Sequence, residues 1–304
     1  MITSIVGKLF TTLKYFTNQC FRTNRYKLTK SAIQYILSED CCFSPEEKKN
    51  LKKSLSKILI SAINYTFVKE YHYRRVSVFY DKTKSLYFVF HKKKKLFFKK
   101  GLSKKEVINM YNALCAEQDA RSPHFYMSDS ISYYSTDIAV DIGAAEGIWA
   151  LEIVEKVNNI YIFECESGWI EALQATFEPW KEKVCVINKY VTDFSDETHT
   201  ALDDYFLNKN IYPNIIKADI EGAETNCLKG ASKLLNLSIY HALICTYHNY
   251  DDFEILSDMM KKNNFEVEPS RGYMAAIYTV KNFDCDDVSK LFRKGLIHAF
   301  KPRQ

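Results

Sequence analysis

Glycine, proline and tryptophan are scarce in this chain, with nine, six and three copies among 304 residues. There is no internal repeat, and the only low-complexity segment is a short lysine run. Hydrophobic residues make up 47% and aromatic residues 14% of the sequence, whereas disordered chains are poor in both. The composition therefore predicts a folded protein, long enough for one large or two modest domains.

Long apolar runs and paired cysteine motifs are also missing. No segment approaches the roughly 18 consecutive apolar residues that a membrane span requires. The nine cysteines are scattered, odd in number and never at zinc-ligand spacing, and no signal peptide is recognisable. We therefore expect reduced thiols that act as small core residues in a cytoplasmic protein.

Acidic residues are absent from positions 1–38, and the shortage continues well beyond them. Residues 1–115 hold 24 Lys and Arg against 7 Asp and Glu, a net charge of +17, whereas the remainder holds 18 against 30, a net charge of −12. The asymmetry predicts a boundary near residue 115. It separates a basic N-terminal region, 1–115, from a second region, 116–304.

The basic region allows several partners. Residues 2–13 keep helical spacing, which predicts an amphipathic helix that packs on the domain or contacts a membrane surface. The lysine run 92–95, with its neighbouring aromatic residues, is consistent with nucleic-acid binding. We favour a solvated hairpin protected by charge. A third interpretation is a basic surface for an anionic substrate or for the acidic half of a second subunit in a homodimer.

Local patterns predict a small α+β unit in this region. Ser44, Pro45 and two following acids are typical of a helix start. The predicted helices cover 2–18, 29–38 and about 45–70, and a further helix begins at 103. The predicted strands cover 75–80, 85–91 and 95–99.

Two of the nine glycines fall in one segment, Asp137–Gly147, where an apolar strand runs into an acid and a glycine turn. A strand that enters a helix through such a turn presents backbone N–H groups to a ligand, although a tight turn alone would also explain the glycines. Asp141 stands where a dinucleotide fingerprint requires glycine, and its carboxylate would repel a pyrophosphate. An acid suits a cationic ligand, such as the sulfonium and ammonium groups of S-adenosylmethionine (SAM).

Polar side chains also end three later apolar strands, at Glu164, at Asp219 and Glu221, and at His248. Glu164 follows Asp141 by 23 positions, close to the spacing at which an acid meets ribose hydroxyls, with Glu166 as the alternative. Because ligands of open α/β sheets bind beyond the carboxyl ends of the strands, we expect all of these side chains to converge at one edge.

Five segments carry a family resemblance: VDIGAAEG, YIFECESGW, TALDDYF, IIKADIEGAETNCLKGA and ICTYH. They resemble the FkbM-type family of SAM-dependent methyltransferases over roughly residues 115–280. The resemblance implies a class I fold and methyl transfer, commonly to a hydroxyl oxygen of a sugar or secondary metabolite. Many members carry an acid two residues before the histidine of ICTYH, where this chain has Thr246. That departure removes support for a metal or acid role at this position.

The second region alternates strands and helices, which predicts an α/β fold with a Rossmann-like, mostly parallel sheet and an antiparallel last strand. The last two predicted strands, 264–268 and 274–280, are separated by a hairpin length, so one of them should be the antiparallel strand. The other predicted strands lie near 137–141, 160–164, 184–188, 214–219 and 241–247.

Roles follow from these positions. Asp141 would orient the methionine portion of SAM above a floor of Gly143, Ala144, Ala145 and Gly147. Glu164 would accept from the ribose hydroxyls, and Thr192 and Asp193 are candidates for the adenine amino group. Because an alcohol needs a base, Asp219, Glu221 and His248 are the catalytic candidates, with loop capping as the alternative for His248.

Asp219, Glu221 and His248 could also hold a magnesium ion, but histidine is an unusual magnesium ligand, so we favour a site without a metal. Lys217 is expected to pair with a neighbouring carboxylate. The leading function is SAM-dependent O-methylation of a glycan or another small hydroxylated acceptor. The alternatives are an RNA methyltransferase that uses the basic region, and a non-catalytic scaffold with the same fold.

Overall fold

The computed structural model describes residues 19–72, 75–127, 131–279 and 287–303. The helix predicted over 2–18 lies outside the described residues. The first described helices are α1 (Gln19–Leu37), α2 (Pro45–Leu55) and the short α3 (Lys69–His72). Ser44 caps α2 by accepting a hydrogen bond from the Glu47 N–H, which confirms the predicted helix start. The predicted continuation of this helix to about residue 70 is wrong, because α2 ends at Leu55.

A three-stranded antiparallel meander follows, and it confirms the three strands predicted there. It consists of β1 (Val78–Asp81), β2 (Leu86–His91) and β3 (Lys94–Phe97). The Asp81 carboxylate accepts from the backbone N–H groups of Thr83 and Lys84 and so closes the first turn. Helix α4 (Lys104–Glu117) then begins at a capping box formed by Ser103 and Glu106.

The large sheet has seven strands: β4 (Ile138–Ile142), β5 (Asn159–Phe163), β6 (Val184–Ile187), β9 (Ile215–Ala218), β10 (His241–Cys245), β11 (Glu266–Pro269) and β14 (Leu296–Phe300). In space they run in the order β11, β14, β10, β9, β4, β5 and β6. Strand β14 is antiparallel to both of its neighbours, and the strands from β10 to β6 are parallel. The predicted α/β fold, mostly parallel with an antiparallel last strand, is confirmed.

The antiparallel strand is not where the sequence placed it. The strand predicted over 274–280 is wrong: within the described part, 274–279, only Met274–Ala275 (β12) forms a strand. It pairs with Phe292–Arg293 (β13) in a separate sheet, and a 3-10 turn follows it. Ala275 and Ile277 instead pack with Leu28, Ile36 and Leu51 of α1 and α2. The apolar pattern therefore indicated burial correctly, but these residues are buried in the core around α1 and α2 and not in the cores of the large sheet.

Helices cover both faces of the large sheet, in the order α5 (Ile148–Ile153), α6 (Ser167–Phe177), α7 (Leu202–Leu207), α8 (Glu224–Lys229), α9 (Ser232–Leu237) and α10 (Asp252–Lys262). Two short strands, β7 (Tyr190–Val191) and β8 (His199–Thr200), pair in parallel beyond β6. Alternate strand residues divide between two cores: Ala139 faces the core that contains Trp149, and Val140 faces the core that contains Phe206.

The meander packs onto the first of these cores, because Leu96 and Phe97 belong to the same cluster as Trp149 and Leu173. Ion pairs surround this contact and join the basic region to the acidic one. They are Lys84–Glu178 at 3.1 Å, Lys92–Glu152 at 2.6 Å, Lys94–Glu155 at 3.1 Å, Lys100–Glu171 at 2.7 Å, and Lys99–Glu166. The acidic partner of these lysines is therefore found within the same chain.

A search of the described residues finds no helix with the length and apolar character needed to cross a membrane.

Candidate functional site

A cavity of about 160 Å³ lies beyond the carboxyl ends of β4, β5 and β9. Seven carboxyl side chains line it: Glu117, Asp141, Glu146, Glu164, Glu166, Asp219 and Glu221. The cationic side chains in the lining are Lys189 and Lys217, together with the ionisable His124. The lining is therefore strongly acidic, and aromatic rings complete it: Tyr126, Trp149, Phe163, Tyr190 and Tyr247.

The turn after β4 forms the floor of this cavity through Gly143, Ala144 and Ala145. Gly143 has a φ of +72°, and a Cβ there would lie 2.0 Å from the Asp219 carbonyl oxygen. The turn is thus pressed against the end of β9, and only glycine permits that approach. Gly147 has a different role, since it lies outside the lining and lets α5 pack against Leu173 and Phe177 of α6.

Glu164 ties this turn to the next one. Its carboxylate accepts from the Ala145 N–H at 2.8 Å and from the Glu166 N–H at 2.8 Å. The side chain is buried, and burial raises its pKa even though the two N–H groups act in the opposite direction. Each carboxylate oxygen has a further lone pair, so the group keeps its capacity to accept from a ligand.

Asp141 is buried and paired within the chain. Its Oδ1 lies 3.0 Å from the Lys217 Nζ, and the two residues are register partners on β4 and β9. Lys217 also donates to the Gly143 carbonyl oxygen at 2.9 Å. Burial lowers the pKa of Lys217, but Asp141 and Asp219 raise it by more, so the ammonium stays charged. The expected pairing of Lys217 with a neighbouring carboxylate is confirmed.

Asp219 is held by four side chains. Its Oδ2 accepts from the Tyr126 hydroxyl at 2.7 Å, and its Oδ1 accepts from the Tyr247 hydroxyl at 3.1 Å. His124 Nε2 lies 3.6 Å from Oδ2, and His248 Nε2 lies 3.4 Å from Oδ1. Burial alone would raise the pKa of Asp219, but the two imidazoles and Lys217 outweigh it and hold that pKa far below its usual range. A carboxylate of this kind is a fixed negative charge and a poor base.

His248 lies behind Asp219 and does not line the cavity. Its Nδ1 is 2.9 Å from Glu224 Oε1, so the imidazole connects two carboxylates. Burial lowers the pKa of His248, but Glu224 and Asp219 raise it by more. Glu224 also accepts from the Ile220 N–H at 2.9 Å, which fixes the turn after β9. His248 therefore positions Asp219 in this structure rather than facing a ligand.

The remaining predicted residues divide between the lining and its surroundings. Glu221 lines the cavity from a turn with a φ of +59°. Thr192 and Asp193, the adenine candidates, do not line it. The Thr192 backbone packs against Gly230, where a Cβ would lie 2.0 Å from the Thr192 carbonyl oxygen. The chain instead presents the preceding residues, Lys189 to Val191, to the cavity.

Sequence reasoning missed the residues that reach the site from outside the strand ends. Glu117 ends α4, and His124 and Tyr126 lie in the loop that follows. The Gln118 side chain fixes this loop, donating to the His124 carbonyl oxygen at 3.1 Å and accepting from the Tyr126 N–H at 3.2 Å. No motif marks these positions. Tyr247 adjoins the predicted His248, and that adjacency was the available signal.

Two groups of described residues bring three possible metal-ligand atoms within 4.8 Å of one another: His124, Asp219 and Cys245, and Asp219, Glu224 and His248. In the first group the Tyr126 hydroxyl contacts Asp219 at 2.7 Å and His124 at 3.2 Å. In the second, the two imidazole nitrogens of His248 face different carboxylates. The contacts of both groups are explained by hydrogen bonds and ion pairs within the protein.

No protein-family model matches this chain, and no curated protein matches it. Solved structures do resemble it. Methyltransferase FkbM from Methylobacillus flagellatus KT is 15% identical with a TM-score of 0.46, over 66% of this chain and 56% of that one. This chain thus spans just over half the length of that protein.

A precorrin-6y C5,15-methyltransferase from Geobacter metallireducens GS-15 is 13% identical with a TM-score of 0.40, over 70% of this chain and 97% of that one. TrmK from M. capricolum, in complex with S-adenosyl-homocysteine (SAH), is 13% identical with a TM-score of 0.36, over 56% of this chain and 65% of that one. At these identities and TM-scores the likenesses support no statement on the activity of this chain, and its membership of the FkbM-type family stays a prediction.

Proposed function

We propose that this protein is a SAM-dependent methyltransferase. The observation that carries the proposal is the acid-rich cavity at the carboxyl edge of a mostly parallel sheet, with a glycine turn as its floor. Open α/β sheets bind ligands at this edge, and seven carboxyl groups favour a ligand with positive charge. When bound, SAM would supply an electrophilic methyl group on a sulfonium.

The residues present fit that ligand. Glu164 has free lone pairs for the ribose hydroxyls, and Ala144 and Ala145 leave room for the ligand above the turn. Glu146 is buried, and its Oε1 has no hydrogen-bond partner among the described residues, so a cationic group would complete its surroundings. Tyr190 and Val191 offer an aromatic and an apolar surface for the adenine, in place of Thr192 and Asp193.

For the acceptor, we infer a hydroxyl group of a saccharide or another small molecule. Asp219 is fixed as a negative charge at the end of β9, and the tyrosines that hold it also line the cavity. The RNA alternative is less well supported, because five lysines of the basic region are paired with glutamates of the same chain. The scaffold alternative would leave the cofactor pocket empty or occluded, and the cavity argues against an occluded pocket.

Calorimetric titration with SAH tests the cofactor assignment. We expect micromolar binding to the wild-type protein and about tenfold weaker binding to Glu164→Gln, which removes the charge that strengthens the hydroxyl contacts. Glu178→Gln is the matched control, because that glutamate is exposed, lies outside the cavity lining and should leave affinity unchanged. Absence of SAH binding to the wild-type protein would refute the proposal.

A second experiment addresses the acceptor. Transfer of label from methyl-labelled SAM would be measured with panels of glycans, small alcohols and RNA. We expect methylation of a hydroxylated small molecule or glycan. Methylation of RNA alone, lost steeply with added salt, would establish the alternative instead.

A further inference from the structure

Removal of the acceptor proton requires a base, and the strand-end candidates are poorly suited to the task. Both oxygens of Asp219 already accept hydrogen bonds from tyrosines, and its pKa is held far below its usual range. His248 does not reach the cavity. The base must therefore be sought elsewhere in the lining.

Glu117 has the properties of a base that Asp219 and His248 lack. It ends α4, is only 7% exposed, and lines the same cavity as Asp219 and Tyr126. Among the described residues, no hydrogen bond or ion pair to its carboxylate is found. A buried carboxylate without a partner, placed beside a ligand cavity, is available to accept a proton from that ligand.

The charged groups that act on the pKa of Glu117 differ from those that act on the second buried glutamate of the lining, Glu146. Burial raises the pKa of Glu117 to about 7; His124 opposes this rise, whereas Glu146, Asp219 and Glu221 add to it. Burial also raises the pKa of Glu146 to about 7, but the charged groups that act on it are Glu164, Lys99 and Lys217, on the proposed cofactor side. A base with a pKa near neutrality is the most effective at neutral pH.

We propose that Glu117 is the catalytic residue that accepts the proton of the acceptor hydroxyl, a proposal that rests on the methyltransferase function. The acceptor oxygen forms its bond to the methyl carbon, and its proton passes to a Glu117 carboxylate oxygen. The electron pair of the broken carbon–sulfur bond remains on sulfur. Glu117 then releases the proton to water.

Gln118, the residue after Glu117, fixes the position of the loop that carries His124 and Tyr126, because its side chain hydrogen-bonds to the backbone of both residues. The N-terminal region thereby supplies one wall of the site. The proposed base and the fixed negative charge are thus carried by different elements, because Glu117 ends α4 and Asp219 follows β9.

The test needs no knowledge of the acceptor. Sinefungin carries an ammonium where SAM carries its methyl sulfonium, whereas SAH carries neither. Affinities for both ligands would be measured by calorimetry on the full chain between about pH 5.5 and pH 8.5, a range that brackets the expected titration. In the wild-type protein we expect the preference for sinefungin over SAH to rise as pH increases through about 7, because Glu117 then becomes negative beside the ammonium.

Glu117→Gln should retain SAH binding, which shows that it is folded, and lose about tenfold of the preference for sinefungin at high pH. Glu178→Gln is the control, because that glutamate is exposed and lies outside the cavity lining, and it should keep the pH-dependent rise in the preference. Glu146→Gln is compared with Glu117→Gln, because burial raises the pKa of both glutamates to about 7. If Glu117→Gln keeps that rise, or Glu146→Gln alone loses it, the assignment of Glu117 is overturned. If SAH fails to bind the wild-type protein, the methyltransferase function itself fails, and the two failures are thus distinguishable.

Discussion

Asp219 is held from both sides, with a tyrosine hydroxyl on each carboxylate oxygen and an imidazole beside each. Such a carboxylate contributes a negative charge whose position is set by the protein before any ligand arrives. Charge that is organised in advance stabilises a developing positive charge without reorganisation. The tyrosines are therefore as much a part of the site as the acid that the sequence identified.

The contribution of the Tyr126 hydroxyl to holding Asp219 can be tested through the free energy of unfolding. Tyr126→Phe deletes the donor to a half-buried ionised carboxylate, and we expect a loss of about 1–3 kcal/mol in the free energy of unfolding, measured in urea. Tyr26→Phe, at an exposed position, is the control and should change stability little. Equal stability of the two variants would show that the Tyr126 hydrogen bond makes no net contribution to the free energy of unfolding.

Glu146 gives a pH-dependent prediction. Its folded pKa of about 7 lies above its ordinary value of 4.5, so between these values the unfolded state binds fewer protons than the folded state. Stability therefore falls as pH rises through that window, and stays reduced above it.

Glu146→Gln should remove this penalty and gain about 1–3 kcal/mol relative to the wild-type protein between about pH 5 and pH 8. Urea unfolding at both pH values measures the difference. Glu178→Gln, at an exposed position, should show no such trend. If the stability of Glu146→Gln relative to the wild-type protein is the same at both pH values, the pKa of Glu146 is not raised in the folded state.

At the scale of elements, the turn between β4 and α5 decides how closely two parallel strands approach. Gly143→Ala would place a Cβ 2.0 Å from the Asp219 carbonyl oxygen and impose the cost of a left-handed φ. We expect a loss of more than about 3 kcal/mol in the free energy of unfolding.

Gly101→Ala is the matched variant, because Gly101 also has a left-handed φ, but a methyl group added there would have no atom within 4 Å. Gly101→Ala should lower the free energy of unfolding by only about 1–2 kcal/mol, because it adds the cost of the left-handed φ and no close contact. Chemical unfolding of both proteins separates the close contact from the backbone strain. Similar losses in the two variants would mean that the turn can move away from β9.

The elements also show what the sequence could and could not predict. Strand β4 contains Asp141, and β5 and β9 lead directly into Glu164 and Asp219; an apolar run beside an acid was the local signal that placed these three strands correctly. The antiparallel strand was misplaced because the sequence 274–280 has the apolar character of a strand, whereas Ala275 and Ile277 pack on α1 and α2. Glu117 and Tyr126 entered the site through tertiary packing, which leaves no local pattern.

At the scale of the whole molecule, the basic and acidic regions attract each other across the surface of one chain. Five lysine–glutamate pairs lie between them, most with at least one exposed partner. Single exposed pairs contribute little, but a set of them between regions of opposite net charge adds a screenable attraction.

We therefore expect the free energy of unfolding to fall by about 1–2 kcal/mol when NaCl is raised from about 0.05 M to about 0.5 M. The double variant Lys84→Gln/Lys100→Gln should lose part of this dependence, since it removes two of the pairs. Urea unfolding at both salt concentrations measures the effect. A wild-type stability that rises with salt would exclude this attraction as a contributor.

The core shared by α1, α2 and the segment around Ala275 and Phe292 has a consequence for synthesis in the cell. On the ribosome, α1 and α2 are made on the order of tens of seconds before the segment around Ala275 and Phe292. During that interval, Leu28, Ile36 and Leu51 lack their native contacts with that segment. The nascent polypeptide thus passes through a stage in which α1 and α2 expose apolar surface. A chaperone that recognises exposed leucine and isoleucine side chains would bind the chain at these two helices.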